Sequence, residues 1–318
     1  MYFRFWLVFS FLLTACSAHA TPHPEPYLEK EEIQQIINNT INALSNDYLF
    51  PDKTLKVIDR MRDEAERGEF TRGYHFGQFR QKFESILVNG TSDTGFELVA
   101  RATAPSLTDV PVDAETNAIE TELLDGNIGY LKLSGDFLRS DRRHDLTTSL
   151  QHLASADVLI LDLRDVGAAS MDFAQHLTSF FLPPGTIMAT VSFNAHEAPI
   201  SLTSREMPGF LHLSQNFPVF ILTSGFVSGP WEFVSYTLKH YDAARLVGED
   251  TMGVSYMKRS IPVSEHAALT LYYAQLEHPV THDNWHQTGV FADYQVSATE
   301  SFDEALTLAS KSDFDKSN

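Results

Sequence analysis

The stretch FPVFILTSGFVSGPWEFVSYTLKH, residues 217–240, combines the patterns of a strand, a sharp turn and a helix. Its first six residues are almost continuously apolar, which is typical of a strand buried on both faces. Small residues at 223–225 interrupt that pattern, and Pro230 opens a helical pattern that continues to His240. Ser228 stands at the corner between them, where enzymes often present a nucleophile. The stretch therefore predicts a strand–turn–helix unit with a candidate nucleophile at its turn.

Strand and helix patterns alternate on both sides of this stretch. Strand-like runs occupy residues 127–133, 157–164 and 244–249, and helical patterns occupy residues 144–153, 171–181 and 301–311. Alternation of continuously apolar strands with helices predicts an α/β fold with a mostly parallel sheet covered by helices. Asp162, near the end of the second run, is expected to be structural and to pair with Arg164.

The residues that precede this region have a helical texture. Three amphipathic helices are predicted over residues 28–44, 52–70 and 76–90, the second ending near Gly68 and the third stopped by Asn89 and Gly90. These helices predict a small N-terminal helical domain over residues 28–108, after a linker at residues 21–27. An α/β core domain is expected over residues 109–318.

Residues 1–20 resemble an export signal. Arg4 precedes a short apolar stretch at residues 5–13, and two processing sites follow. LTAC, ending at Cys16, resembles the lipobox of bacterial lipoproteins, whereas AHA, ending at Ala20, fits ordinary signal peptidase. Both interpretations predict an exported, periplasmic protein, and the first adds a membrane anchor through lipidated Cys16. Cys16 is the only cysteine, so no disulfide framework is expected.

Charge and motifs exclude several function classes. The 23 Lys+Arg against 42 Asp+Glu give a formal net charge of −19, which argues against a nucleic-acid partner because such partners need basic clusters. No phosphate loop and no dinucleotide fingerprint is present, so no cofactor is expected. His278, His282 and His286 recur every fourth residue. Pro279 indicates a loop rather than a helix there, so a metal site is not expected.

Ser228 admits two interpretations on local grounds. As a nucleophile it needs a base and backbone donors for an oxyanion, for which the N–H of Gly229 and a donor from the Gly167 loop, residues 164–170, are candidates. Alternatively, Ser228 or Gly229 caps the helix that starts at Pro230, with Glu232 reaching back.

Several segments in order resemble the family of the tail-specific proteases, the tricorn core domain and interphotoreceptor retinoid-binding protein, most closely its last branch. NIGYLKLSGDF at 127–137 resembles the first core strand, and VLILDLRDVGAAS at 158–170 resembles LILDLRGNGGG. HPVTHDNWHQTGVFADYQV at 278–296 resembles NPVTGTNWEGVGVEPDI. The resemblance covers nearly the whole chain after residue 20 and implies a crotonase/ClpP-like core and serine-peptidase chemistry.

The resemblance places Ser228 at the nucleophile position, but the partners differ. Gly95 (or Thr94) occupies the place of the histidine base, and His286 replaces the acid of NWEGVGV. A serine without an adjacent base is a poor nucleophile. The glycine-rich oxyanion loop has become DVGAA at 165–169, which keeps only Gly167.

Three hypotheses follow. The favoured one is an exported, catalytically impaired homologue whose cleft binds a polypeptide, a C-terminal peptide segment or an apolar ligand. The second is an active serine peptidase in which Ser228 works with a non-standard base such as His286. The third is a scaffold or binding module anchored to the membrane through Cys16.

Overall fold

A computed structural model describes residues 25–101, 118–139, 141–194, 197–207 and 217–315. The predictions for residues 1–24, including Cys16, lie outside these ranges. The helices of the described residues are α1 Lys30–Asn46, α2 Leu55–Glu66, α3 Phe76–Thr91, α4 Arg142–His152, α5 Met171–Ser179, α6 Pro230–His240 and α7 Ser301–Asp315. The strands are β1 Tyr27–Leu28, β2 Tyr74–His75, β3 Glu97–Ala100, β4 Ile119–Leu124, β5 Ile128–Phe137, β6 Val158–Ala169, β7 Ile187–Ser192, β8 Ile200–Thr203, β9 Val219–Thr223, β10 Arg245–Gly248, β11 Tyr256–Pro262, β12 Ala267–Glu277 and β13 Tyr294–Gln295.

The main sheet is mostly parallel, as the apolar runs predict. Its strand order is β13-β10-β9-β6-β5-β4, and among the described strands only the pairing of β4 with β5 in this sheet is antiparallel. Successive residues of a strand point to opposite faces of the sheet, and helices cover both faces. In β6, Leu159 and Leu161 join the core that contains residues of α4, α5 and α6, whereas Val158 and Ile160 join the one under α7.

The sequence did not predict a second sheet, which is antiparallel. Its strand order is β11-β12-β7-β8, and β3 also pairs with β12. Several of its strands are half-exposed. Buried and exposed residues do not alternate regularly along β11, where only Tyr256, Met257 and Ile261 are partly buried. Such strands carry a weak periodic signal in the sequence.

The N-terminal helices are confirmed, with one correction. The third helix does not stop at Asn89 and Gly90 but continues to Thr91, and Ser92 ends it in the left-handed conformation. Gly90 lies inside the helix, and a Cβ at this position would overlap the Val57 side chain of α2. The glycine thus permits close packing of two helices rather than ending one of them.

The helices share their hydrophobic core with the second sheet. One buried cluster includes Ile36 and Phe83 of the helices together with Leu98 of β3 and Leu269 and Leu271 of β12. Among the helices of the described residues, none combines the length and the apolar character that crossing a bilayer requires.

A buried ion pair fixes β6 against its neighbours. Asp162 is fully buried and accepts hydrogen bonds from Arg164 Nε (2.9 Å) and Nη2 (2.6 Å) and from the Tyr130 hydroxyl (2.7 Å). Arg164 Nη1 also donates to the carbonyl of Ala298, just before α7. Burial acts to raise the pKa of Asp162, but the hydrogen bonds from Arg164 and Tyr130 outweigh it, so the pKa lies below its ordinary value. The structural role expected for Asp162 is confirmed.

We expect Asp162→Asn to lower the free energy of unfolding by about 3 kcal/mol near neutral pH, because it leaves the half-buried Arg164 without its charge partner. A carboxyl group whose pKa is lowered on folding stabilises the protein above its unfolded pKa of about 3.9 and loses that contribution as the pH falls through the folded pKa. The difference between variant and wild type should therefore shrink in acid. Urea unfolding followed by circular dichroism at neutral and acid pH measures it.

Asp165→Asn is the matched control, because Asp165 pairs with Lys132 at 2.8 Å while 61% of its side chain is exposed. Exposed ion pairs contribute little to stability. Equal destabilisation by the two substitutions would contradict the structural role of Asp162.

Candidate active site

Ser228 lies where the sequence placed it, at the turn between β9 and α6. β6 and β9 are parallel neighbours, with Asp162 opposite Leu222, so the segments that follow them lie at the same edge of the sheet. The serine is half-buried, and its carbonyl accepts the N–H of Trp231 at 3.3 Å. Among the described residues, the Ser228 hydroxyl makes no hydrogen bond, so neither His286 nor any other base is bonded to it here.

The turn after Ser228 is held by a buried carboxylate. Gly229 has φ 59° and ψ −119°, a conformation that a residue with a Cβ rarely adopts. Its N–H donates to Glu232 Oε2 at 2.9 Å, which confirms the capping interpretation with Gly229 as the cap. Glu232 is fully buried, and Oε2 also accepts the N–H of Val254 at 2.7 Å. Oε1 accepts the hydroxyl of Thr251 and the N–H of Gly253, both at 2.6 Å.

The expected oxyanion loop is a strand. The sequence interpretation ended the strand at Arg164 and began a loop there. Instead, β6 continues to Ala169 because it stays paired with β5 past two register shifts, between residues 132 and 134 and between residues 135 and 137. Gly167 therefore has no positive φ, and its carbonyl accepts the indole N–H of Trp231 at 2.7 Å. The next amide, that of Ala168, donates to Asp136 Oδ1 at 2.7 Å.

His286 packs against tyrosine rings. Its ring stacks on Tyr256 with the centroids 3.6 Å apart and the planes at 12°, and it meets the edge of Tyr272 at 6.0 Å. Nδ1 is buried without a hydrogen-bond partner in the described part of the chain. Burial lowers the pKa of His286, although the negative charge of Asp93 partly offsets this shift.

Gly95 has no room for a side chain. A Cβ at this position would overlap the ring of Tyr272, which lies on β12. The N–H of Gly95 donates to Asp93 Oδ1 at 2.7 Å, and Asp93 Oδ2 accepts the hydroxyl of the buried Tyr48 at 2.6 Å. The neighbouring Thr94 is exposed. Tyr272 thus fills the space that a histidine at position 95 would need.

The three spaced histidines do not converge on one point. His278 is buried beside Tyr236, and burial, followed by the nearby His240, lowers its pKa to about 4. The His282 side chain is 78% exposed and lies beside Glu277. Within the described ranges, no group of three or more potential ligands is arranged to hold a metal ion.

An apolar pocket of about 290 Å³ borders the helix start at Gly229 and Pro230. Its other walls come from the end of β6, from the start of α5 and from β11 and β12. The apolar side chains that line it include Met171, Val254, Met257 and Leu276, and Lys258 stands among the polar residues at the same pocket.

Sequence reasoning missed several residues of this site. Asp136 follows Gly135, whose φ of 73° bends β5, and a glycine within a strand pattern is a sign of such a bend. No local sequence pattern marked Lys258 or Tyr272, because the pairing of strands distant in the chain brings them to the site.

The comparisons with known proteins agree with this architecture. The sequence pattern of peptidase family S41 matches residues 127–296, more than half of the chain. A carboxyl-terminal-processing protease from Synechocystis sp. is 24% identical over 169 residues, which are 52% of this chain and 37% of that protein. The chain therefore aligns with well under half the length of this relative.

Two solved structures share the fold over most of their length. A photosystem II D1 C-terminal processing protease superposes with a TM-score of 0.67 at 10% identity, covering 84% of this chain and 93% of that one. A lipoprotein from Streptococcus agalactiae gives a TM-score of 0.65 at 14% identity, covering 88% and 96%. At such low identity these likenesses speak for the fold alone. Together with the match over residues 127–296, they identify the chain as a member of peptidase family S41.

Proposed function

We propose that this chain is an exported S41-family homologue, closest to the retinoid-binding-protein-like branch, that binds polypeptide in its cleft and has lost most of its peptidase activity. The observation that carries the proposal is the isolation of Ser228. Within the described residues its hydroxyl has no hydrogen-bond partner, and a serine without an adjacent base remains a protonated, weak nucleophile. Losing members of a catalytic triad commonly removes several orders of magnitude of rate.

The oxyanion donors support the same proposal. The N–H of Gly229, which would face a developing oxyanion, donates to Glu232, and the N–H of Ala168 donates to Asp136. An N–H that already serves a carboxylate must break that hydrogen bond before it can stabilise a second anion. Preorganised donors usually supply a large share of the rate enhancement in acyl transfer, so their engagement favours binding over catalysis.

The surroundings of Gly95 and His286 also favour a loss of peptidase activity. Tyr272 occupies the space beside Gly95, and His286 stacks on Tyr256. The pocket next to Gly229 remains open and apolar. A family member with these features keeps a place for a substrate side chain while lacking a base bonded to its serine.

The N-terminal sequence supports the parts of the proposal that concern export and membrane anchoring. The apolar stretch at residues 5–13 and the two candidate processing sites after it favour a periplasmic protein, with membrane anchoring if Cys16 is lipidated.

A fluorophosphonate probe tests the loss of activity. We expect no change in the intact mass of the wild-type protein after incubation with the probe, because Ser228 lacks a base to activate it. The Ser228→Ala variant should behave identically, and an active serine hydrolase treated in parallel shows that the probe is reactive.

A mass increase that is present in the wild type and absent in Ser228→Ala would contradict the proposal and support the active peptidase instead. In that case His286→Ala identifies the base, since loss of labelling in this folded variant would assign the role to His286.

The proposal that Gly95 stands in place of the histidine base leads to a prediction about stability. We expect Gly95→Ala to lower the free energy of unfolding by about 1–3 kcal/mol, because the added methyl group displaces the Tyr272 ring. In a Tyr272→Ala background the same substitution should have little effect, and denaturant unfolding of the four proteins measures the coupling between the two positions.

Gly225→Ala is the control, because a Cβ there meets its nearest atom only at 3.6 Å and the backbone is not in a positive-φ conformation. A cost of Gly95→Ala that persists unchanged without the Tyr272 ring would show that the ring does not fill the space.

A further inference from the structure

The pocket beside Ser228 borders an unpaired strand edge. Among the described strands, β11 pairs only with β12 and forms the outer edge of the second sheet. In an antiparallel pair, every second residue of an edge strand points its N–H and C=O groups away from the partner. This edge therefore offers backbone donors and acceptors to another extended chain.

The pocket lies at the start of this strand. Tyr256, Met257 and Lys258 of β11 line it together with Val254 and Ser255, which precede the strand. The pairing with β12 shifts its register between Met257 and Lys258, and such a bulge breaks the alternation of side chains. The pocket thus reaches the first three residues of the edge strand, next to where an added strand would lie.

The elbow that carries Ser228 also borders the pocket. Gly229 and Pro230 of the elbow and Ala169 at the end of β6 line the same pocket as β11. An extended chain paired with the edge of β11 would therefore pass directly in front of the elbow and place one side chain in the apolar space between Met257 and Leu276. Addition of a strand to a free edge, with a pocket for alternate side chains, is a recurring mode of peptide recognition.

Lys258 supplies a charge preference at this edge. It is exposed, its Nζ lies 5.4 Å from the centroid of the Tyr272 ring, and it forms no ion pair with any described residue. The chain as a whole carries a net charge of −19, which repels acidic partners in general. A cation that has no carboxylate partner among the described residues thus creates a local exception that favours a carboxylate.

We infer that an extended peptide with an apolar side chain next to an Asp or Glu residue binds along β11, with the apolar side chain in the pocket and the carboxylate on Lys258. The inference rests on the proposed function in that it assigns the cleft to polypeptide binding, and it adds the strand that recognises the peptide backbone and the residue that selects its charge. Pro262 at the far end of β11 lacks an N–H, so the strand offers one donor fewer at that end.

Fluorescence anisotropy with two labelled, C-terminally amidated peptides tests the inference. One peptide is Ser-Thr-Leu-Glu-Leu-Thr-Ser and the other has Lys in place of Glu. We expect the wild-type protein to bind the Glu peptide about tenfold more tightly, a ratio typical of one well-placed charge pair. Lys258→Glu should reverse the preference, and Lys56→Glu, which makes the same charge change at an exposed position of α2, should retain it.

Two versions of the Glu peptide, N-methylated at odd or at even backbone positions, test the strand pairing. Each removes the donors from one edge of the peptide, so one version should lose at least about tenfold in affinity and the other should retain most of it. Equal binding of the Glu and Lys peptides, a preference that Lys258→Glu does not reverse, equal affinities of the two methylated versions, or no saturable binding would each overturn the inference.

The outcome is separable from that of the proposed loss of activity. Peptide binding accompanied by Ser228-dependent labelling would leave the inference standing and contradict the loss of activity. Absence of both binding and labelling would overturn the inference and leave the proposed loss of activity standing.

Discussion

The site depends on one buried carboxylate. Glu232 accepts hydrogen bonds from the helix start at Gly229 and from Thr251, Gly253 and Val254 in the segment after β10. The Thr251 hydroxyl in turn accepts an N–H from a third segment, at position 290. A buried carboxylate without donors, or buried donors without the carboxylate, would cost several kcal/mol. The elbow with Ser228 and the loop that leads into β11 are therefore fixed relative to each other.

This constraint favours binding over acyl transfer. The N–H of Gly229 that a tetrahedral intermediate would need is part of the clamp, and Asp136 engages Ala168 in the same way. The clamp also joins Gly229 of the elbow to Val254 in the segment before β11, and both residues line the pocket. We therefore propose that the fold has kept its means of holding an extended chain, while no described residue forms a hydrogen bond with the Ser228 hydroxyl.

Much of the fold could be predicted from the sequence because its signals are local. Continuous apolar runs predicted the parallel strands, and Pro230 predicted the start of α6. What could not be predicted depends on residues distant in the chain. β6 extends to Ala169 through its pairing with β5, and Gly90 lies within α3, where it packs closely on Val57 of α2. The glycine at position 95, where the family resemblance places a histidine, was visible in the sequence, whereas the ring of Tyr272 beside it was not.

A crystal structure of the protein with a peptidyl boronic acid tests the central claim most directly, because boronates form a tetrahedral adduct with an activated serine. We expect the peptide to lie along β11 without a bond to Ser228 Oγ, and the N–H of Gly229 to remain on Glu232. A covalent bond from Ser228 to boron, with a boronate oxygen on the N–H of Gly229 in place of the Glu232 carboxylate, would contradict the account.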